Sequence, residues 1–114
     1  MLSGNPAPSM AEKPRSVVWE PKAKQDLRSI WRNYARLASP EIADKLLREF
    51  DQAGEKLGER PLLWRTRDEV MPGLRSVFVH PHTIFYRVTD ARVEIVRLLH
   101  ERRNFATVFK KDEQ

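Results

Sequence analysis

Three histidines, a set of arginines and one adjacent carboxylate pair are the side chains of this sequence best equipped for chemistry. His80 and His82 flank Pro81, and His100 lies further along. Two imidazoles so close together could share a metal or a proton, but tetrahedral zinc needs more ligands, and no recognised ligand spacing supplies them. A histidine beside a turn proline is equally a solvated turn residue. Asp68-Glu69 stands beside Arg65 and Arg67, where local charge compensation is the simpler reading. The chain has no cysteine, which excludes disulfides, thiol nucleophiles and thiolate metal sites. It shows no Ser nucleophile elbow, no phosphate-cradling glycine loop and no paired-carboxylate constellation. Neither a metal nor an organic cofactor is expected.

The arginines say more. Between Leu57 and Phe109 every cation is an arginine, and the guanidinium fork binds carboxylates and phosphates bidentately where lysine acts as a mobile point charge. Arg75 and Arg97 fall on predicted strands, either held by acidic neighbours or aimed at a partner. Arg102-Arg103 follow the last strand, where side chains are freer to meet a partner.

The elements that must position these groups are legible in the periodicity. Val17-Val18-Trp19 reads as a short strand. Pro21 suits the first turn of a helix carrying Ala23, Leu27, Ile30, Trp31 and Tyr34 on one stripe. Ser39-Pro40-Glu41 is an N-cap, an N1 proline and a first-turn carboxylate. The helix they start carries Ala43, Leu46, Leu47, Phe50, Ala53 and Leu57, with Gly58 placed to end it. The Leu37-Ala38-Ser39 linker permits only an antiparallel helical hairpin. Strands follow at Leu74 to Val79, Thr83 to Thr89 and Arg92 to Leu99. Ile84, Tyr86 and Val88 share one face opposite Phe85 and Arg87, while Val93, Ile95, Arg97 and Leu99 oppose Glu94, Val96 and Leu98. The expected fold is α+β, two-layered, in the order β-α-α-β-β-β, with the helical hairpin packed on a mainly antiparallel sheet. Residues 1–16, rich in proline and small polar residues, read as a disordered leader, residues 17–109 as one domain, and residues 110–114 as a flexible tail.

Composition bounds the partners. The 114 residues carry 21 Lys plus Arg against 16 Asp plus Glu, a net +5, with 40% hydrophobic residues. That is enough for one core. No apolar run approaches the roughly 20 residues of a spanning helix, so a cytoplasmic protein without membrane contact is expected. The excess is spread evenly, ten cations minus eight anions (+2) over residues 1–57 and eleven minus eight (+3) over residues 58–114. Spread this way, the charge favours acidic protein partners over direct nucleic-acid binding.

In order along the chain, Trp19-Glu20-Pro21-Lys22-Ala23, Asp26-Leu27-x-x-Ile30-Trp31-x-x-Tyr34, Pro72-Gly73-Leu74-Arg75-Ser76, Ile84-Phe85-Tyr86-Arg87-Val88 and Leu99-His100-x-x-Arg103 resemble the motifs of the ParE/RelE superfamily of toxin–antitoxin toxins. The superfamily contains two chemistries. RelE-type members are ribosome-dependent mRNA interferases that use sheet lysines and arginines and a C-terminal tyrosine. By the resemblance, the lysine positions fall at Leu74 and Ser76, one arginine position at Thr83 and the other at Arg103, and the tyrosine position near Phe109. Loss of one general acid or base typically costs 10²–10⁴-fold, so loss of several disfavours a nuclease.

The resemblance to the ParE branch then implies a toxin without a catalytic centre that binds and inhibits DNA gyrase. A ParD-like antitoxin would neutralise it, in a hetero-oligomer, by laying a helix and strand over an apolar groove. Trp31, Tyr34, Leu47 and Phe50 are the candidate groove residues, although the same spacing suits a core. Arg87 is a further antitoxin contact, grouped with Arg102 and Arg103 as a basic patch. Arg75, Tyr86, His100 and Phe105 complete the family-motif or target-binding candidates. A RelE-like interferase with a rearranged site, and an inert antitoxin-binding relic, are the alternatives.

Overall fold

A computed structural model describes residues 13–113. The elements are β1 (Ser16–Trp19), α1 (Pro21–Leu37), α2 (Pro40–Glu59), β2 (Arg65–Thr66), β3 (Arg75–Val79), β4 (His82–Val88), β5 (Arg92–His100) and α3 (Phe105–Asp112). One five-stranded sheet has the order β1-β5-β4-β3-β2, with β1 parallel to β5 and every other pairing antiparallel. This is the expected α+β arrangement, extended by a two-residue strand and a third helix. Most of the leader expected to be disordered lies outside the described residues, and Ser16 already belongs to β1. No helix among the described residues is long and apolar enough to cross a membrane.

The hairpin forms for local reasons. Ser39 Oγ accepts the Ile42 N–H at 3.2 Å, Pro40 needs no donor at N1, and Glu41 faces the positive end of the helix dipole. The Trp31 indole N–H donates to Asp44 Oδ1 at 2.8 Å and ties the two helices together. Gly58 does not end α2. It lies one residue inside, because β1 crosses there: a Cβ on Gly58 would stand 2.7 Å from the Arg15 carbonyl oxygen and 2.8 Å from Val17 Cγ2. Gly73, at φ +80°, does turn the chain into β3, with its N–H donated to Asp68 Oδ1 at 2.9 Å.

The sheet buries both faces. Against the hairpin lie Ile84, Tyr86, Val93, Ile95 and Leu98, with Val17 and Trp19 of β1. The opposite face carries Leu74, Phe85 and Leu99, covered by Val108, Phe109 and Phe105 of α3. The pairing steps from Phe85↔Arg97 to Tyr86↔Ile95, leaving Val96 as the extra residue of a β-bulge. Beyond it the alternation of β5 inverts, so Leu98 faces the hairpin and Leu99 faces α3, the reverse of the sequence expectation. α3 is capped by Asn104, whose Oδ1 accepts the Thr107 N–H at 3.0 Å, and it runs through Lys110 to Asp112, where a flexible tail was expected. Its apolar residues at 105, 108 and 109 and its terminal Asp112 give it a face and an anchor.

Candidate functional site

The open end of the sheet, where β4 begins and β5 ends, is roofed by α1 and gathers most of the polar chemistry. His82 and His100 are register partners on the two strands, their rings edge-on at 5.3 Å. Phe50 of α2 meets His82 edge-on at 5.5 Å, and Tyr34 of α1 tilts over it at 6.3 Å. The turn after β5 is fixed to the β3–β4 turn by the Glu101 N–H, donated to the Pro81 carbonyl at 2.8 Å. Within that turn the Arg102 N–H is donated to His100 Nδ1 at 3.1 Å, and the Arg103 N–H to the His100 carbonyl at 2.9 Å. A cavity of about 470 Å³ results, walled by Asp26, Ser29, Asn33 and Tyr34 of α1, floored by His82, Leu98 and His100, and rimmed by Arg103.

His82 is 3% exposed, and its Nδ1 is sealed from solvent with no hydrogen-bond partner. Burial, then the neighbouring His100 and His80, push its pKa down to about 4 against the opposing pull of Glu101. The ring is therefore neutral at pH 7 and a weak base, far from the value that suits general-base catalysis. Asp26 is no free base either. Its Oδ2 accepts the Leu98 N–H at 2.9 Å and Arg97 Nε at 2.8 Å, and its Oδ1 accepts Arg97 Nη2 at 3.0 Å. Arg97 also donates Nη1 to both Asp112 oxygens, at 3.1 and 2.9 Å, and Lys22 joins Asp112 at 2.9 Å. Lying beside the bulge, Arg97 thus locks α1, β5 and α3 together. The hydrogen bonds to Asp26 lead in raising its pKa, against burial. What the cavity offers is recognition: two imidazoles, a phenol, a hydroxyl, an amide and one exposed guanidinium. Among the described residues no three metal-ligating side chains converge.

The structure divides the sequence candidates. Tyr34, His100 and Arg103 meet at this cavity, and Arg102 lies exposed beside it. Trp31 and Leu47 are half-buried on the hairpin. Phe50 is fully buried, a core residue supporting His82 rather than a groove surface, because its position points straight down at the sheet. Arg87 does not join Arg102 and Arg103. It pairs with Glu94 at 3.6 Å, six residues and roughly 20 Å of strand from His100, and lines a separate cavity of about 430 Å³ with Pro21, Met71, Val96 and Phe109. Arg75 and Tyr86 brace a loop: Arg75 Nη1 donates to the Trp64 carbonyl at 2.8 Å and the buried Tyr86 hydroxyl donates to that of Pro61 at 2.9 Å. Burial pushes the Tyr86 hydroxyl up to about 12, against the charge of Arg75. Phe105 packs on Phe85 at 4.8 Å, beneath the Arg67 guanidinium, and so belongs to the second core. Glu69 pairs with Arg67 at 2.8 Å, the local compensation read from sequence. Asp26, Ser29 and Asn33 were not among the site candidates, and His82 was weighed only with His80, as a metal or proton site. Asp26 carried a signal, as the single carboxylate of α1.

Residues 17–105 match the family described as the ParE toxin of the type II toxin–antitoxin system parDE. The chain is 37% identical over 83 residues to Toxin ParE1 of Mycobacterium tuberculosis, covering 72% of this chain and 85% of that protein. It is 36% identical over 87 residues to Toxin RelE2 of Caulobacter vibrioides, covering 76% and 96%. Its fold superposes on a chain from the chromosomal ParDE TA system of P. aeruginosa with a TM-score of 0.69 and 26% identity, covering 76% of this chain and 96% of that one. The motifs along the sequence, the sheet they build and these relatives agree: this chain belongs to the ParE toxin family and is a toxin of a type II toxin–antitoxin system.

Proposed function

We propose that this toxin acts by binding DNA gyrase and inhibiting it, and that a ParD-like antitoxin holds it in check. One observation carries the choice of gyrase over message. The positions where the superfamily resemblance puts the interferase lysines, an arginine and the tyrosine are Leu74, Ser76, Thr83 and Phe109, each no more than 6% exposed. None bears a side chain that titrates near neutral pH, and all are buried, so none can replace the lysines, arginine or tyrosine of an interferase. For the antitoxin, the half-buried Trp31, Tyr34 and Leu47 offer an apolar surface, continued at the hairpin tip by the exposed Leu37 and Ile42. Purified toxin at micromolar concentration is expected to block gyrase supercoiling or accumulate cleaved DNA, and added antitoxin to restore supercoiling. Untouched gyrase with cutting of ribosome-bound message would refute it.

A second reading, a rearranged interferase, is favoured by the convergence of His82, His100, Tyr34 and Arg103 on one cavity. Under it Arg103→Ala abolishes message cleavage while leaving the thermal melt unchanged. An inert relic would leave growth unaffected when the toxin is induced without its antitoxin.

A further inference from the structure

The charges on α1 are placed against the helix's own stability. Five cations minus one carboxylate give it a net +4, whereas α2, with three cations minus six carboxylates, is −3. The α1 carboxylate, Asp26, is consumed by Arg97 and the Leu98 N–H. Lys24, Arg28, Arg32 and Arg36 recur every fourth residue and are all exposed, so like charges are neighbours along the helix, an arrangement that repels. Lys22 and Lys24 stand at the positive end of the helix dipole, where carboxylates are favoured. α2 instead spaces opposite charges four apart, as in Glu41 with Lys45 and Asp44 with Arg48. Among the described residues none gives the side chains of Lys24, Arg28 or Arg32 a hydrogen bond or an ion pair, and the Arg36 side chain reaches only Asn33 Oδ1, at 3.3 Å.

The exposed residues beside them are Gln25, Ser29 and Asn33, all polar, and the apolar Leu37 follows only at the C-terminal end of the helix. A protein partner is normally held by buried aromatic or aliphatic anchors at the centre of an interface, and between Lys24 and Arg36 this face exposes none. Single-stranded nucleic acid is held by aromatic stacking platforms. The aromatic residues of α1 lie outside this strip, turned toward α2 and the sheet: Trp31 is bonded to Asp44, and Tyr34 lies against His82. A wholly polar, positive, regularly spaced face is the character of a contact to a duplex backbone.

We propose that the solvent face of α1 docks on the phosphate backbone of duplex DNA, with Lys24, Arg28, Arg32 and Arg36 each neutralising a phosphate. The four span about 18 Å, at about 6 Å a step, a length over which a duplex carries about ten negative charges. Arg36, through Asn33, brings the strip to the mouth of the His82 cavity, where Arg103 adds a further cation. The even charge along the sequence hid this, because α1 and α2 cancel within one half of the chain. The choice of DNA over RNA rests on the gyrase reading, but the binding itself needs no gyrase.

The test is fluorescence anisotropy of the full chain with a labelled 30-base-pair DNA duplex of arbitrary sequence, in a salt series. Four neutralised phosphates give a slope of log affinity on log salt of about −3.6, so binding weakens about 150-fold between 50 and 200 mM salt. The double variant Arg28→Gln/Arg32→Gln, at two exposed positions, is expected to flatten the slope by about 1.8, leaving about a 12-fold weakening. Circular dichroism confirms that it is folded. An unchanged slope in the folded variant overturns the proposal, as does absence of binding at 50 mM salt and 100 µM toxin. Tighter binding to duplex RNA or to single-stranded DNA overturns the assignment of the occupant. If the variant loses affinity for the antitoxin but keeps its DNA slope, the strip is an acidic-protein surface instead. Duplex binding with gyrase unaffected would sink the gyrase reading alone.

Discussion

Mild acid is expected to weaken this domain through a single ring. His82 is pressed by Tyr34 from α1, Phe50 from α2 and His100 from β5. Burial first, then His100 and His80, hold its pKa near 4 rather than 6.5, with Glu101 opposing. At about 1.4 kcal/mol for each tenfold change, charging it costs roughly 3 kcal/mol more in the folded state than in the unfolded chain. The unfolded chain takes up the proton near pH 6.5 and the folded chain only near pH 4, so between those values the unfolded state binds more protons. Stability is therefore complete above pH 6.5 and declines as the pH falls towards 4. Asp112 titrates outside this window. Burial raises its pKa, but hydrogen bonds from Lys22 and Arg97 outweigh burial and hold it below the ordinary carboxylate value, so its contribution is lost only at lower pH. Urea melts from pH 7.5 to 4.5 are expected to show a loss of about 2–3 kcal/mol. His82→Leu, which removes both the titration and the unpartnered Nδ1, is expected to be flat over this range. A variant that keeps the wild-type slope would refute the assignment to His82.

Three further outcomes are expected. Arg97→Leu leaves two partly buried carboxylates under-paired, Asp26 with only the Leu98 N–H and Asp112 with only Lys22, and should lower stability by about 2–4 kcal/mol. Limited proteolysis should then cut within 105–112 first. Gly58→Ala gains about 1 kcal/mol of helix propensity, yet its Cβ would collide with the Arg15 carbonyl and Val17. A net loss of about 1–3 kcal/mol in a denaturant melt is expected, and a gain would show that β1 yields there. Tyr86→Phe leaves the Pro61 carbonyl without its donor, at about 1 kcal/mol. In an ultraviolet titration one of the two tyrosines should ionise only near pH 12, and that late step should vanish in the variant.

The helical hairpin was readable because Ser39-Pro40-Glu41 states its start in local chemistry and both stripes keep one period. The three long strands were readable from their β-branched and aromatic content. The bulge was not, because Val96, Leu98 and Leu99 are all apolar and both sheet faces are buried, and Arg97 among them does not say which face it takes. Nor was α3: eight residues with three large apolar side chains cannot persist alone, and the helix exists through the Phe85 face and Arg97. Phe50 and Leu47 share a stripe but not a role, since periodicity finds a face without saying how deep it sinks. Arg87 was grouped with Arg102 and Arg103 by composition, and the length of β5 separates them. His82 and His100 meet only because of strand register, which no spacing along the chain encodes.

The parallel pairing of β1 with β5 sets the order in which this protein can be assembled. Ser16 and Arg92 are partners across 76 positions, a highly non-local contact whose loop must close before it stabilises anything. At about 5–20 residues per second, synthesis separates the two strands by roughly 4–15 s. During that interval the α1–α2 hairpin can form from local contacts alone, but β1 has no strand to pair with. Since β5 is also the partner of β4 and carries the Arg97 anchor for α3, neither buried face can close before β5 has been made. The finished toxin surface therefore comes into being only once β5 and α3 have followed the hairpin.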